Sequence, residues 1–72
     1  MGYYPRLRDL REDHDLTQAA LARFLGMATT QYWRYEQGVR DIPTEVLLRL
    51  ADYYHTSTDY ILGRTNNSAP PK

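Results

Sequence analysis

The chain has no cysteine in its 72 residues. Disulfide bonds and thiolate metal ligands are therefore excluded. No apolar run approaches the roughly 20 residues that a membrane-spanning helix needs, and the first residues lack the apolar stretch of a secretory signal. Because apolar residues make up 42% of the chain, we expect one small domain of a soluble cytoplasmic protein, with no membrane partner.

The sequence also lacks the groups that usually carry catalysis. It has no activated nucleophile, no glycine-rich phosphate loop and no paired carboxylates. Its two histidines, His14 and His55, lie near predicted helix ends without a second ligand at metal-binding spacing. We therefore expect a protein that is not an enzyme and that has no metal, cofactor or small-molecule ligand.

The formal net charge is zero, whereas nucleic-acid-binding domains usually carry an excess of basic residues. The charges are nevertheless segregated along the chain. Residues 16–40 carry three arginines and one acidic residue, and residues 41–62 carry one arginine and four acidic residues. The positive segment includes the aromatic-rich stretch MATTQYWRYEQG.

Five short helices are predicted, and no segment shows the alternation of a strand. The first is expected at Pro5–Asp13 and the third at Thr29–Gln37. The boundary signals of the others are Thr17 and Gly26 for the second, Pro43 at the start of the fourth, and Ser57 and Gly63 for the fifth. The second and third helices are joined by Gly26-Met27-Ala28, a spacing typical of a helix-turn-helix.

The third helix has two faces when successive residues are placed 100° apart. Ala28, Tyr32 and Tyr35 form the predicted inner face, where a structural role for the tyrosines is favoured over ligand contact. The outward set consists of Thr29, Thr30, Trp33, Arg34 and Gln37. These side chains suit base edges in a DNA major groove, but an ordinary polar helix face explains them equally well.

An ion pair between helices is predicted from two further positions. Glu36 lies close to the inner face of the third helix, where an unpaired carboxylate is costly. Arg11 has the same offset from the apolar face of the first helix. We therefore predict that Arg11 and Glu36 pair, and that the pair fixes helix orientation more than it adds net stability.

Over residues 4–65 the chain resembles the Cro/C1-type, or XRE-like, helix-turn-helix transcriptional regulators of bacteria and phages. The segments that carry the resemblance are LTQAALA, the Gly26 turn, RYEQG and LLRLADYY…STDYILG. It implies an all-α fold, a compact five-helix lambda-repressor-like DNA-binding domain whose third helix enters the major groove. Residues 66–72, polar and proline-rich, are predicted to form a disordered tail.

The resemblance also implies partners and site residues. Family members usually bind inverted-repeat operators in double-stranded DNA as homodimers, commonly as repressors. Gln18 corresponds to a phosphate contact, with a base contact left open as well, and Arg11 and Glu36 match the buried pair of the family. The implied base-contacting residues are Thr29, Thr30, Trp33 and Arg34, and the implied phosphate-contacting segment after them includes Gln37, Val39 and Arg40.

The chain departs from the family pattern at three positions. Ala28 replaces the usual serine or threonine cap of the third helix, a cap typically worth about 1 kcal/mol. Ala20 breaks the capping box of the second helix. Trp33 stands where a small residue is common, and three roles are open for its indole: contact with a thymine methyl, packing on the sugar-phosphate wall, or obstruction of the groove.

Two functions from different classes are therefore compared. The first is a sequence-specific DNA-binding regulator of transcription, and the second is a protein-interaction module, for instance an antitoxin-like partner. The acidic segment 41–62 and the zero net charge slightly favour the second. A homodimer interface is expected among the large residues near the carboxyl terminus, Tyr53, Tyr54, Tyr60, Ile61 and Leu62.

Overall fold

The structure, a computed structural model, describes residues 3–70. In that range the chain forms helices and no strand, which confirms the predicted all-α class. The helices are α1 (Pro5–Asp13), α2 (Gln18–Leu25), α3 (Thr29–Gln37), α4 (Thr44–Tyr54) and α5 (Thr58–Ile61). Within the described range, none of them is long and apolar enough to cross a membrane.

Local sequence signals determine where most of the helices begin and end. The side-chain oxygen of Thr17 accepts a hydrogen bond from the amide of Ala20 at 3.0 Å, which caps α2. Ser57 caps α5 in the same way. Gly26 and Gly38 end α2 and α3 with φ of 74°, a left-handed conformation that glycine adopts without a Cβ penalty.

The start of α4 agrees with its sequence signal, whereas the placement of Ala28 differs. Pro43 is extended and occupies the cap position, and α4 begins directly after it at Thr44. Ala28 is exposed rather than part of the inner face. Its backbone is extended, with ψ of 147°, and its side chain makes no cap hydrogen bond. The helical angle used to place Ala28 therefore does not apply, because the helix begins only at Thr29.

The core is assembled from all five helices. Its buried members are Leu7, Leu10, Leu21, Ala22, Leu25, Tyr32, Tyr35, Leu47, Leu50, Ala51, Tyr54 and Ile61. Ala22 on α2 is 1% exposed, and α2 packs more extensively against α3 than against any other helix. The core therefore fixes the angle between the two helices of the predicted helix-turn-helix.

Two arginines join elements that the sequence pattern did not connect. Arg49 on α4 donates to the backbone oxygens of Phe24 and Leu25 at 2.8 and 3.2 Å, and so satisfies carbonyls at the end of α2. Arg6 on α1 donates to the backbone oxygen of Tyr60 at 2.8 Å. These contacts hold α2 against α4 and α1 against α5.

The predicted tail, residues 66–72, lies only partly within the described range. Residues 66–70 contain no helix or strand, and the side-chain oxygen of Asn66 accepts a hydrogen bond from Arg6. Residues 71–72 lie outside the described residues. The disorder of this segment stays a prediction.

Candidate nucleic-acid interface

The third helix presents a buried face and an exposed face. Tyr32, Tyr35 and Glu36 are at most 3% exposed. The five residues predicted to face outward are all exposed: Thr29, Thr30, Trp33, Arg34 and Gln37. Since helix residues four apart are neighbours, they form two adjacent rows on one continuous surface. The face assignment made from the sequence therefore agrees with the structure at these eight positions.

The turn between α2 and α3 is held by backbone hydrogen bonds. The amide of Met27 donates to the carbonyl of Ala22 at 2.9 Å, and the amide of Gly26 donates to that of Arg23 at 3.2 Å. Met27 packs against the core. The start of α3 is thereby anchored to the end of α2, and its exposed face has a fixed orientation relative to α2.

A bidentate ion pair links α1 to the inner side of α3. Arg11 Nε donates to Glu36 Oε2 at 2.6 Å, and Arg11 Nη2 donates to Glu36 Oε1 at 3.2 Å. Arg11 Nη1 also donates to the backbone oxygen of Leu16 at 2.9 Å. The carboxylate is almost completely buried, and the two residues expected to pair are in direct contact. This geometry fixes the rotation of α3 about its own axis.

Gln18 belongs to the same network. Its Nε2 donates to Glu36 Oε1 at 3.1 Å. One N–H of the amide is thus engaged inside the protein, and the carbonyl oxygen and the second N–H have no partner in residues 3–70. Gln18 lies at the first position of α2 and is half-buried. Its contact with phosphate stays a prediction.

The electrostatics of the pair follow from its geometry. Burial alone would raise the pKa of Glu36, but its interactions with Arg11 and, to a smaller extent, with Tyr32 and Gln18 outweigh burial and hold that pKa below its usual value. The hydrogen bond with Glu36 raises the pKa of Arg11. Burial raises the pKa of Tyr32 and of Tyr54 far above the usual range. At neutral pH the network therefore holds an ionised pair beside two neutral phenols.

The segment after α3 is exposed but its backbone donors are occupied. The amides of Val39 and Arg40 donate to the carbonyl of Arg34 at 3.0 and 3.4 Å. Gly38 has no room for a side chain, because an added Cβ would lie 2.9 Å from Cβ of Tyr3. The predicted phosphate contact of this segment therefore depends on the side chains of Gln37 and Arg40.

The expected carboxyl-terminal interface is mostly core. Tyr54 and Ile61 are buried, and Tyr60 and Leu62 are partly buried against the core. Tyr53 alone of that group is exposed, and its ring lies 4.7 Å from that of Phe24. Helical periodicity does not separate these residues, because their exposure depends on how α4 and α5 pack.

The geometry defines a class of protein. Two short helices joined by a glycine turn, with the second anchored by its buried face and presenting a polar exposed face, form a helix-turn-helix. Among residues 3–70, no group of three or more histidine or acidic side chains is arranged to hold a metal ion.

The comparison with known families agrees with that class. A family model described as "Helix-turn-helix domain" matches residues 6–60. The chain belongs to this helix-turn-helix family, and the predicted resemblance to XRE-like regulators is confirmed. No solved structure shows a significant match.

Several curated proteins are similar to the chain. The uncharacterized HTH-type transcriptional regulator YobD of Bacillus subtilis is 43% identical over 68 residues, which cover 94% of this chain and 61% of YobD. The HTH-type transcriptional regulator ImmR of the same organism is 37% identical, over 89% of this chain and 50% of ImmR. The antitoxin PezA of Streptococcus pneumoniae is 33% identical, over 79% of this chain and 36% of PezA. The chain thus spans between about a third and three-fifths of these relatives.

Proposed function

We propose that this protein binds double-stranded DNA in a sequence-specific manner and regulates transcription, with α3 in the major groove. The observation that carries the proposal is the exposed face of α3. It combines hydroxyls, an amide, a guanidinium and an indole, while the opposite face of the same helix is buried. The family match and the names of the regulators YobD and ImmR support the proposal.

Each exposed group has a chemical partner in the groove. The Arg34 guanidinium suits the two acceptors of guanine, and the hydroxyls of Thr29 and Thr30 suit donors or acceptors on several bases. Gln37 ends α3 and Arg40 lies in the segment after it, where their side chains suit phosphate oxygens. Gln18 offers its free N–H at the start of α2.

We further propose that two copies bind an inverted repeat, as the resemblance implies. Half-sites one helical turn apart are separated by about 34 Å, and the longest dimension of the domain is 32 Å. Two domains therefore fit side by side on one face of the duplex. A dimer seated in this way would block access of other proteins to the same DNA, which makes repression in the cytoplasm the function that fits best.

A second candidate is a protein-interaction module of the antitoxin type. The similarity to PezA favours it, together with the acidic segment 41–62. Under this alternative the exposed face of α3 is not needed for binding. The two candidates therefore differ in what a change at Arg34 does.

Selection of duplexes from a randomised library at low salt, followed by sequencing, tests the first proposal. We expect enrichment of an inverted repeat. A library that stays flat would overturn the proposal and favour the protein-interaction module.

The Arg34→Gln variant then tests the placement of α3. We expect affinity for the selected duplex to fall by roughly 1–3 kcal/mol, with relaxed preference at one base pair per half-site. Arg64→Gln is the matched control, since it removes the same charge from an exposed position outside the proposed interface. Equal losses in the two variants would contradict the placement.

A further inference from the structure

The indole of Trp33 is an unusual feature of the α3 surface. It is 42% exposed, and in the described part of the chain no other ring and no cation stacks on it. The other exposed large apolar side chains on α2 and α4 are Phe24, Leu48 and Tyr53. Two of them contact each other, with the Phe24 and Tyr53 rings 4.7 Å apart. Because the Trp33 indole has no such partner among the described residues, its exposed apolar area is available to a molecule that binds α3.

Trp33 lies among the polar side chains of the outward set of α3. Thr29, Trp33 and Gln37 follow one another at intervals of four residues and so lie in one row along α3. Thr30 and Arg34 form the next row outward. On its other side the Trp33 row borders Glu36, whose carboxylate binds Gln18. The indole is thus framed by polar side chains of α3 and by the start of α2.

The chemistry of the major groove limits which contacts of an indole with the base edges are favourable. Each base pair exposes donors and acceptors, and the one apolar group is the C5-methyl of thymine. An indole pressed on polar base edges strips them of water, and its single N–H replaces few of the lost hydrogen bonds. An indole pressed on a methyl removes apolar surface from water instead.

We propose that Trp33 makes the site select thymine, by burying a thymine C5-methyl group against its indole ring. The inference rests on the proposed function, because it assumes that α3 lies in the major groove. It assigns one specificity to Trp33 in place of the three roles that the sequence left open. Burial of one methyl-sized group corresponds to roughly fourfold in affinity per half-site.

Replacement of thymine by deoxyuridine tests the proposal, since the two bases differ only in this methyl. Thymines of the duplex selected from the randomised library are exchanged one position at a time, in both half-sites together. Binding of the full chain is measured at fixed salt by the emission of Trp33, the chain's single tryptophan, and by anisotropy of labelled duplex. We expect one position at which the exchange weakens binding roughly fourfold per half-site.

The Trp33→Ala variant completes the test. We expect it to bind the thymine and deoxyuridine duplexes equally, as followed by anisotropy, while far-ultraviolet circular dichroism shows an unchanged fold. Leu48→Ala is the matched control, because Leu48 is also exposed, at 53%, but lies on α4. This variant is expected to keep the full difference between the two duplexes.

The other outcomes separate the competing roles. Equal loss of affinity by Trp33→Ala for both duplexes, with no deoxyuridine effect in the natural chain, would assign the indole to the sugar-phosphate wall and overturn the thymine assignment. A gain of affinity on Trp33→Ala would show obstruction and overturn it too. A selection that enriches no duplex would overturn the proposed function itself, and the thymine assignment with it.

Discussion

Glu36 is the residue on which the orientation of α3 depends. Its carboxylate is buried, and it accepts hydrogen bonds from Arg11 on α1 and from Gln18 on α2. A buried ion pair rarely adds much net stability, because desolvation offsets its Coulomb attraction, but removal of one partner is costly. The network therefore acts mainly by setting which side of α3 faces outward.

Acid should weaken the fold through this residue. The pKa of Glu36 is lower in the folded chain than its usual value of 4.5. The stabilisation is therefore complete above pH 4.5 and is lost as the pH falls through the lower, folded pKa. We expect Glu36→Gln to cost roughly 3–5 kcal/mol of unfolding free energy at pH 7. The gap in unfolding free energy between the natural chain and this variant should shrink below pH 4.5.

Urea unfolding at a series of pH values measures that gap. Glu12→Gln is the matched control, because Glu12 is half-exposed and pairs with Arg8 on the surface of α1. Its effect should stay below about 1 kcal/mol at every pH. A gap that widens with acid for Glu36→Gln would contradict the assignment of the ion pair.

At the scale of elements, the caps of α2 and α3 differ although their backbones are alike. Both cap residues are extended, but Thr17 accepts an amide hydrogen bond whereas Ala28 has no side-chain acceptor. The first amides of α3 are therefore not capped by a side chain of Ala28. In the proposed complex the same amides lie near DNA.

Ala28→Ser should stabilise the free protein. The exposed Ala28 already has the backbone conformation of a cap, so the new hydroxyl is expected to add about 1 kcal/mol. For a domain of this size that raises the melting temperature by about 4–8 °C. Thr17→Ala is the mirror-image control and should lower it by a similar amount. Calorimetry checks both, and an unchanged Ala28→Ser melting temperature would refute the account.

At the scale of the whole molecule, a neutral chain is proposed to bind a polyanion. The explanation is segregation of charge, since residues 16–40, which include α2 and α3, carry three arginines and one acidic residue. The single acidic residue, Glu36, is buried and paired. The surface of this segment is thus more positive than the total charge suggests.

The dependence of DNA affinity on salt concentration should show that the protein contacts few phosphates. Each neutralised phosphate contributes about −0.9 to the slope of log affinity against log salt concentration. We expect a shallow slope, which Arg40→Gln reduces by roughly 0.9 per bound copy. Arg64→Gln, with the same change of net charge, should leave the slope unchanged. Titrations of the selected duplex at several salt concentrations measure it, and equal slopes for the three proteins would exclude a phosphate contact by Arg40.

The sequence by itself determined the helices and the two faces of α3. Their signals are local: Thr17 and Ser57 cap, Gly26 and Gly38 terminate, and a rotation of about 100° per residue places Tyr32 and Arg34 on opposite sides of the helix. The pairing of Arg11 with Glu36 could also be predicted from the sequence, because a charged residue near an apolar face needs a partner.

Only the tertiary structure decided the other contacts that cross between helices. Arg49 caps the carbonyls of α2 from α4, and Gln18 binds Glu36 from the start of α2. The exposure of Tyr53 beside the buried Tyr54 likewise depends on the docking of neighbouring helices. Periodicity describes one helix at a time, whereas these contacts join residues that are distant in the chain and meet only when the core packs.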